Sequence, residues 1–287
     1  STLMRSSAAS DVYKRQISDK SQIFQTIQAV KSDTPVYVAL APAFVGQFGP
    51  EGVPERMRKA FQRLGFADVY EVAIGADLCV IEEAADFLEE VPEKHKFMVT
   101  SCCPSWSDMV KKLFPQFEKN ISVAFTPMVL TARMIKRDHP DCKVVFVGPC
   151  VAKRKEVKMD PCVDFTLTFE EVGSVLAGMD IKIEEAQPFT VLRNSVREAH
   201  GFAQAGGVIN AVKVYLKEDQ DASLNTIQVA NLTKKNVALL RAYAKTGKAP
   251  GQFIEVMACE GGCVTGPCVH GDRSAGQKQL LKELTKY

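Results

Sequence analysis

From Ile17 onward, short apolar runs alternate with longer stretches in which apolar positions recur every three or four residues. The runs at 36–41, 68–74, 97–101, 144–147, 166–169 and 253–257 predict strands, and several are apolar throughout, as strands buried on both faces are. The amphipathic stretches at 51–64, 77–91, 123–137, 169–177, 208–216, 234–246 and 275–286 predict helices. Such alternation predicts parallel βαβ units. The expected fold class is α/β, with two lobes, each a mainly parallel twisted sheet flanked by helices. His139-Pro140-Asp141 reads as a turn and sets the expected change of lobe near 140, giving lobe one at 17–140 and lobe two at 141–287.

Residues 1–16 break this pattern. They are polar, small and aperiodic, with no stretch apolar enough for an export signal. We expect a disordered head. Asp11–Gln16, DVYKRQ, resembles the translation of a transposase adapter used in DNA library preparation, so the head is expected to be a sequencing artefact.

Composition narrows the class. With 46% hydrophobic and 24% charged residues, a chain of 287 is globular rather than disordered or fibrous. A net charge of +2 gives no bulk electrostatic reason to bind nucleic acid. The longest apolar stretch, around 36–45, falls short of the ~18 residues of a membrane span. The nine cysteines change the picture. A chain of this size needs no disulfide staples, the number is odd, and no signal peptide is visible, so the thiols read as those of a reducing, cytoplasmic compartment.

Three segments gather the chemistry: Thr100–Trp106 (TSCCPSW), Gly148–Glu156 (GPCVAKRKE) and Glu255–Cys263 (EVMACEGGC). Each follows a predicted strand, and the carboxyl edges of parallel sheets are where ligands bind. Zinc sites show paired knuckles. Here only Cys259 and Cys263 are paired, and the other thiols are dispersed. Soft thiolates brought from distant loops suit an iron–sulfur cluster buried between the lobes. Gly261 and Gly262, lacking Cβ atoms, let backbone N–H groups approach sulfide and thiolate. Adjacent Cys102 and Cys103 do not readily serve one ion, so one reads as a ligand and the other as free for another task.

These segments resemble, in order and spacing, the three signature motifs of the catalytic domain of iron-only, or [FeFe], hydrogenases. The resemblance covers residues 17–272, with minor matches at Ala41-Pro42, at Gly75–Glu83 (GADLCVIEE) and at Gly206-Gly207-Val208. It implies that Cys103, Cys150, Cys259 and Cys263 ligate the [4Fe–4S] part of the H-cluster. Cys263 would bridge to a di-iron subcluster bearing CO, cyanide and an azadithiolate. Cys102 would pass protons to the bridgehead amine. Lys153 would bind a cyanide ligand, Glu156 would orient Lys153, and Pro42, Pro127 and Met257 would pack around the di-iron site. The family's proton relay maps onto Cys102, Glu83, Ser122 and Asp86. Asp86 is one methylene shorter than the usual Glu and calls for an additional water.

The resemblance further implies reversible reduction of protons to H2, with a ferredoxin-like electron carrier and hydrogenase maturation proteins as partners. No ferredoxin-like module precedes the domain in this sequence, so no additional clusters are expected in it, and the electrons come either directly from an external carrier or from a module lost with the true N-terminus. There are departures. Gly148 stands where many members carry Met, Ala43 where some carry Ser, and Met128 where Gln is frequent. Val264–Asp272 (VTGPCVHGD) replaces a Gly-rich tail. These leave open a hydrogen sensor of low turnover, and a hydrogenase-like iron–sulfur assembly protein is the rival from another class. Retention of Cys102, Lys153 and Met257 favours the enzyme. Cys79, Cys142 and Cys162 read as bland buried thiols, Cys268 as a candidate redox-active thiol, and His270 as a candidate support of the pocket. The run 153–158 (KRKEVK) reads as a solvated charge run, with guidance of an acidic ferredoxin as its functional alternative.

Overall fold

The computed structural model describes residues 21–187, 195–219 and 224–287, so the head at 1–16 lies outside the described residues. Two parallel sheets carry the architecture. The first has the order β2-β1-β4-β5, built from β1 (Val36–Leu40), β2 (Asp68–Glu71), β4 (Lys143–Gly148) and β5 (Phe165–Thr168). The second has the order β3-β7-β6, built from β3 (Met98–Val99), β6 (Thr226–Ala230) and β7 (Phe253–Met257). All neighbouring pairs run parallel, in registers such as Val38↔Val145 and Val99↔Ile254.

The sheets do not divide at residue 140, which corrects the expected lobe boundary. β4 and β5 lie beyond it yet extend the sheet begun by β1 and β2, and β3 lies before it yet pairs with β7. The cause is in the strands. Val144–Val147 are buried throughout, so β4 needs a neighbour on each side and sits between β1 and β5.

Helices cover the sheets: α1 (Ile23–Val30), α2 (Pro54–Arg63), α3 (Ala73–Glu90), α4 (Pro104–Leu113), α5 (Pro127–Asp138), α6 (Lys153–Val157), α7 (Phe169–Gly178), α8 (Arg197–His200), α9 (Gly207–Asp219), α10 (Lys234–Thr246) and α11 (Arg273–Leu284). α2, α4 and α5 each open on proline at the first position, where a missing N–H costs nothing. The predicted strand at 68–74 ends early, because Val72 turns into α3. Ala73, Ala76, Val80, Ala84 and Phe87 are buried at helical spacing, so the apolar run at 72–74 belongs to that helix.

One apolar core packs around the first sheet. A second gathers α3, α9 and Met257, and a third packs Trp106, Val110 and Phe117 against Ile254 and Val256. Among the described residues no helix is long and apolar enough to cross a membrane.

Candidate metal centre

Strand ends bring the cysteine loops together from both sheets. Cys102 and Cys103 follow β3, Cys150 follows β4, and Cys259 and Cys263 follow β7. Cys103 stands at the N-cap of α4, its carbonyl accepting from Trp106 and Ser107 N–H at 3.1 Å each. Cys263 packs against the first and second cores, and Cys103 against the second and third. Cys263 feels the charges of Cys103, Cys150 and Cys259, so these four thiols share one site. Burial pushes all of the shifted thiols up, Cys259 to about 11 with Cys150 and Cys103 adding to it, and Cys263 further still. Cys150 is raised by burial too, while backbone N–H groups of Ala152 and Lys153 work in the opposite direction.

That electrostatic strain fits a cationic body among the sulfurs. Among the described residues no group of three or more His, Cys, Asp or Glu side chains is arranged to hold a single metal ion. Four converging soft donors without single-ion geometry suit a cluster of several irons.

Six of the residues given a role in the sequence line one small cavity of about 80 Å³: Pro42, Cys102, Pro127, Lys153, Met257 and Cys263. Pro42 opens a short 3-10 turn after β1, and Pro127 opens α5. The remaining wall is apolar, from Ala43, Val72, Ala76, Met128, Phe146, Phe202 and Ala203. Phe146 has a specific effect here. A Cβ on Gly148 would stand 2.6 Å from its ring, so the space a larger residue 148 would take is filled by Phe146 instead.

Lys153 reaches into this wall from α6. Its Nζ donates to Glu156 Oε2 at 2.7 Å and to the Cys102 carbonyl at 3.4 Å. Burial works against its charge, but Glu156 beside it, together with Cys102 and Cys150, more than offsets that, and its pKa is raised. Glu156 is held in turn by the Thr126 hydroxyl. The run 153–158 is not the solvated stretch expected. Lys153 lines the cavity, and buried Arg154 pairs with Glu171 at 2.6 Å, which leaves Lys155 and Lys158 exposed.

Glu83 on α3 is fully buried. Its Oε1 accepts from Ser101 N at 3.4 Å and Ser101 Oγ at 3.5 Å. Burial pushes its pKa to about 8, against hydrogen bonds from Ser101 and Ser122, with Asp86 pushing upward. Cys102 is raised well above an ordinary thiol by burial, with Glu255 and Glu83 among the contributing charges. Asp86, one turn beyond Glu83, accepts from Val123 N at 2.8 Å, and Ser122 precedes that residue. Ser122 thus lies beside Glu83, Asp86 holds the residue that follows Ser122, and Cys102 feels the charge of Glu83.

Gly261 and Gly262 adopt φ of +80° and +96°, which glycine alone adopts readily. A Cβ on Gly262 would also stand 2.5 Å from Ala205 N, so this turn needs glycine for packing against backbone as well as for approach to a cluster. Cys79 and Cys142 are buried in the apolar cores, while Cys162 is partly buried. His270 packs over Gly173 and near Phe48, away from the cavity lining.

Ser101, Thr126 and Glu255 were not singled out by sequence. Glu255, fully buried in β7, accepts from Gly206 N at 2.6 Å and Ile209 N at 3.0 Å, which satisfies the start of α9. A lone charge inside the apolar run FIEVM was the available signal.

Comparisons with known proteins follow the same lines. The family described as the C-terminal domain of the iron-only hydrogenase large subunit matches residues 34–267. Iron hydrogenase 1 of Clostridium pasteurianum is 28% identical over 303 residues, covering 87% of this chain and 53% of that protein. A cytosolic Fe-S cluster assembly factor, narfl, of Danio rerio is 24% identical, covering 82% of this chain and 70% of that protein. Among solved structures, a variant of the [FeFe]-hydrogenase HydA1 from Chlamydomonas reinhardtii superimposes with a TM-score of 0.73 at 20% identity, covering 92% of this chain and 88% of that one. That likeness is one of fold. The chain spans about half the length of hydrogenases it matches, 53% and 54% in two cases.

Proposed function

The chain belongs to the family of C-terminal domains of iron-only hydrogenase large subunits, and from that premise we propose that it is the catalytic domain of an [FeFe] hydrogenase, reducing protons reversibly to H2. The observation that carries this is the single cavity shared by Cys102, Lys153, Met257 and Cys263, with the other three cysteine ligands gathered at Cys263.

Cys103, Cys150, Cys259 and Cys263 would hold the [4Fe–4S] cluster, with Cys263 also facing the di-iron half. When bound, the H-cluster would supply the metal chemistry of hydrogen formation and relay the electrons delivered to it. The chain's own residues do the rest. Lys153, kept cationic by Glu156, offers N–H donors to an anionic cyanide in a dry pocket. Pro42, Pro127, Met257 and Phe146 exclude water. Cys102 delivers the proton at its Sγ and is resupplied from Glu83. With a pKa of about 8, Glu83 is a neutral acid near pH 7 and can both give and take a proton. Ser122 and Asp86 continue the route outward. Electrons come from a ferredoxin-like carrier, and maturation proteins install the di-iron half.

The Danio rerio assembly factor gives a second reading, an iron–sulfur assembly protein without hydrogen chemistry. A thiol and an ammonium aimed into one apolar cavity favour the enzyme, since cluster carriage alone uses neither. Infrared spectroscopy of the matured protein separates the two. CO and cyanide bands are expected, and their absence overturns the hydrogenase. Hydrogen evolution from reduced methyl viologen then distinguishes a fast enzyme from a slow sensor.

A further inference from the structure

A fifth thiol, Cys268, lies beside the loop that carries Cys150. Cys268 lies within electrostatic reach of both Cys150 and Cys259. Its backbone fixes it there. The Cys268 N–H donates to the Pro149 carbonyl at 3.1 Å, which ties the backbone of residue 268 to the residue just before Cys150.

The returning chain has no room to drift. Gly266 N–H closes a turn onto the Cys263 carbonyl at 2.9 Å, and a Cβ on Gly266 would stand 3.0 Å from both Pro149 Cβ and the Pro149 carbonyl oxygen. Beyond Cys268, Gln47 Oε1 accepts from His270 N and Gly271 N at 3.2 Å each, with Gln47 itself buried. Cys268 is therefore anchored on both sides, next to a ligand loop, and no other role in the centre uses it.

We propose that Cys268 is a reserve ligand of the iron–sulfur cluster, able to replace Cys150 at the same iron. The proposal rests on the reading above only in requiring a [4Fe–4S] cluster at this site. In the exchange, Cys268 Sγ loses its proton and bonds to iron, while the Cys150 Sγ–Fe bond breaks and Cys150 takes up a proton. No electron changes hands. Soft thiolate replaces soft thiolate, so the iron keeps its donor set. The replacement differs in approach, which alters the cluster's electronic surroundings without emptying the site.

Anaerobic reconstitution of the full chain with ferrous iron and sulfide provides the test, read by iron per chain and by the electron paramagnetic resonance spectrum after dithionite reduction. Wild type and Cys268→Ala are expected to hold four irons with the same spectrum. Cys150→Ala is expected to keep four irons with shifted g-values, and Cys150→Ala/Cys268→Ala to fall to three or fewer and lose the reduced [4Fe–4S] signal. If Cys150→Ala loses as much iron as the double variant while wild type keeps four, the reserve role is overturned and the cluster site stands. If wild type itself takes up no cluster, both readings fall. Should Cys150→Ala melt early without cluster, Cys150→Ser with and without Cys268→Ala gives the same contrast at native side-chain volume.

Discussion

Lys153 Nζ sits 2.7 Å from Glu156 Oε2, one turn apart on α6, with only 13% and 16% of the two side chains exposed. A pair so shielded is costly to break from one side, because the partner is left charged and poorly solvated. Lys153→Met and Glu156→Gln are each expected to lower stability by about 2–4 kcal/mol. The double variant should recover a large part of the loss. Urea unfolding of the four proteins measures the coupling, and additive losses would show that the pair is not a unit.

Glu83 gives a pH signature. Its folded pKa of about 8 lies above its ordinary value of 4.5, so between these limits the folded chain holds a proton that the unfolded chain has released. Stability therefore falls as pH rises through that window, by up to about 1.4 kcal/mol per unit, and levels off above it. Glu83→Gln removes this dependence. The melting temperature of Glu83→Gln relative to wild type is expected to climb from pH 5 to pH 8, and a constant difference would contradict the buried, protonated acid.

Cys102→Ala keeps the volume of the cavity wall nearly intact but removes the thiol that faces it. Hydrogen evolution by the matured protein is expected to drop by about two orders of magnitude or more, the scale of a lost proton-transfer group. Its infrared bands should remain. Full activity in Cys102→Ala would remove the thiol from the proton route.

Gly262→Ala meets both positive φ and the Ala205 backbone. A cost of about 2–4 kcal/mol is expected from strain and overpacking together. Because the turn carries Cys263, iron uptake on reconstitution should fall in parallel, and a variant with native stability and full iron would show the turn to be tolerant.

Glu255→Ala strips the carboxylate from the buried start of α9, leaving the Gly206 and Ile209 N–H groups without it. About 2–4 kcal/mol of stability should go, since these are charge-assisted bonds in a dry place. Thermal unfolding of the cluster-free chain checks this, and no loss would mean that water takes the place of the carboxylate.

Much of this was legible in order and spacing. β7 and α10 match their predicted bounds, and the three cysteine segments lie at strand ends as the pattern implied. β6 was missed because only Val229 of its five residues is buried, so no alternation stands out. α4 was missed because its apolar face reduces to Trp106 and Val110 over ten residues. The lobe boundary failed for another reason: a turn such as His139-Pro140-Asp141 marks where the chain bends, whereas sheet membership depends on pairing between distant strands. Arg154 looked solvated within KRKEVK, since its partner Glu171 becomes a neighbour only through α7, whereas the pairing of Lys153 with Glu156 was implied by the family resemblance.

The interleaving of the two sheets sets an order of events during synthesis. Translation through Thr168 provides every strand of the first sheet, while Met98–Val99 has been made but still lacks its partner. That partner, Phe253–Met257, leaves the ribosome last among the strands, and Cys259 and Cys263 follow it. The nascent chain thus carries an unpaired β3 edge for some 150 residues, and the metal pocket closes only as synthesis approaches α11. A chaperone that shields the segment around Met98–Val99 until Phe253–Met257 is made would raise the yield of folded chain.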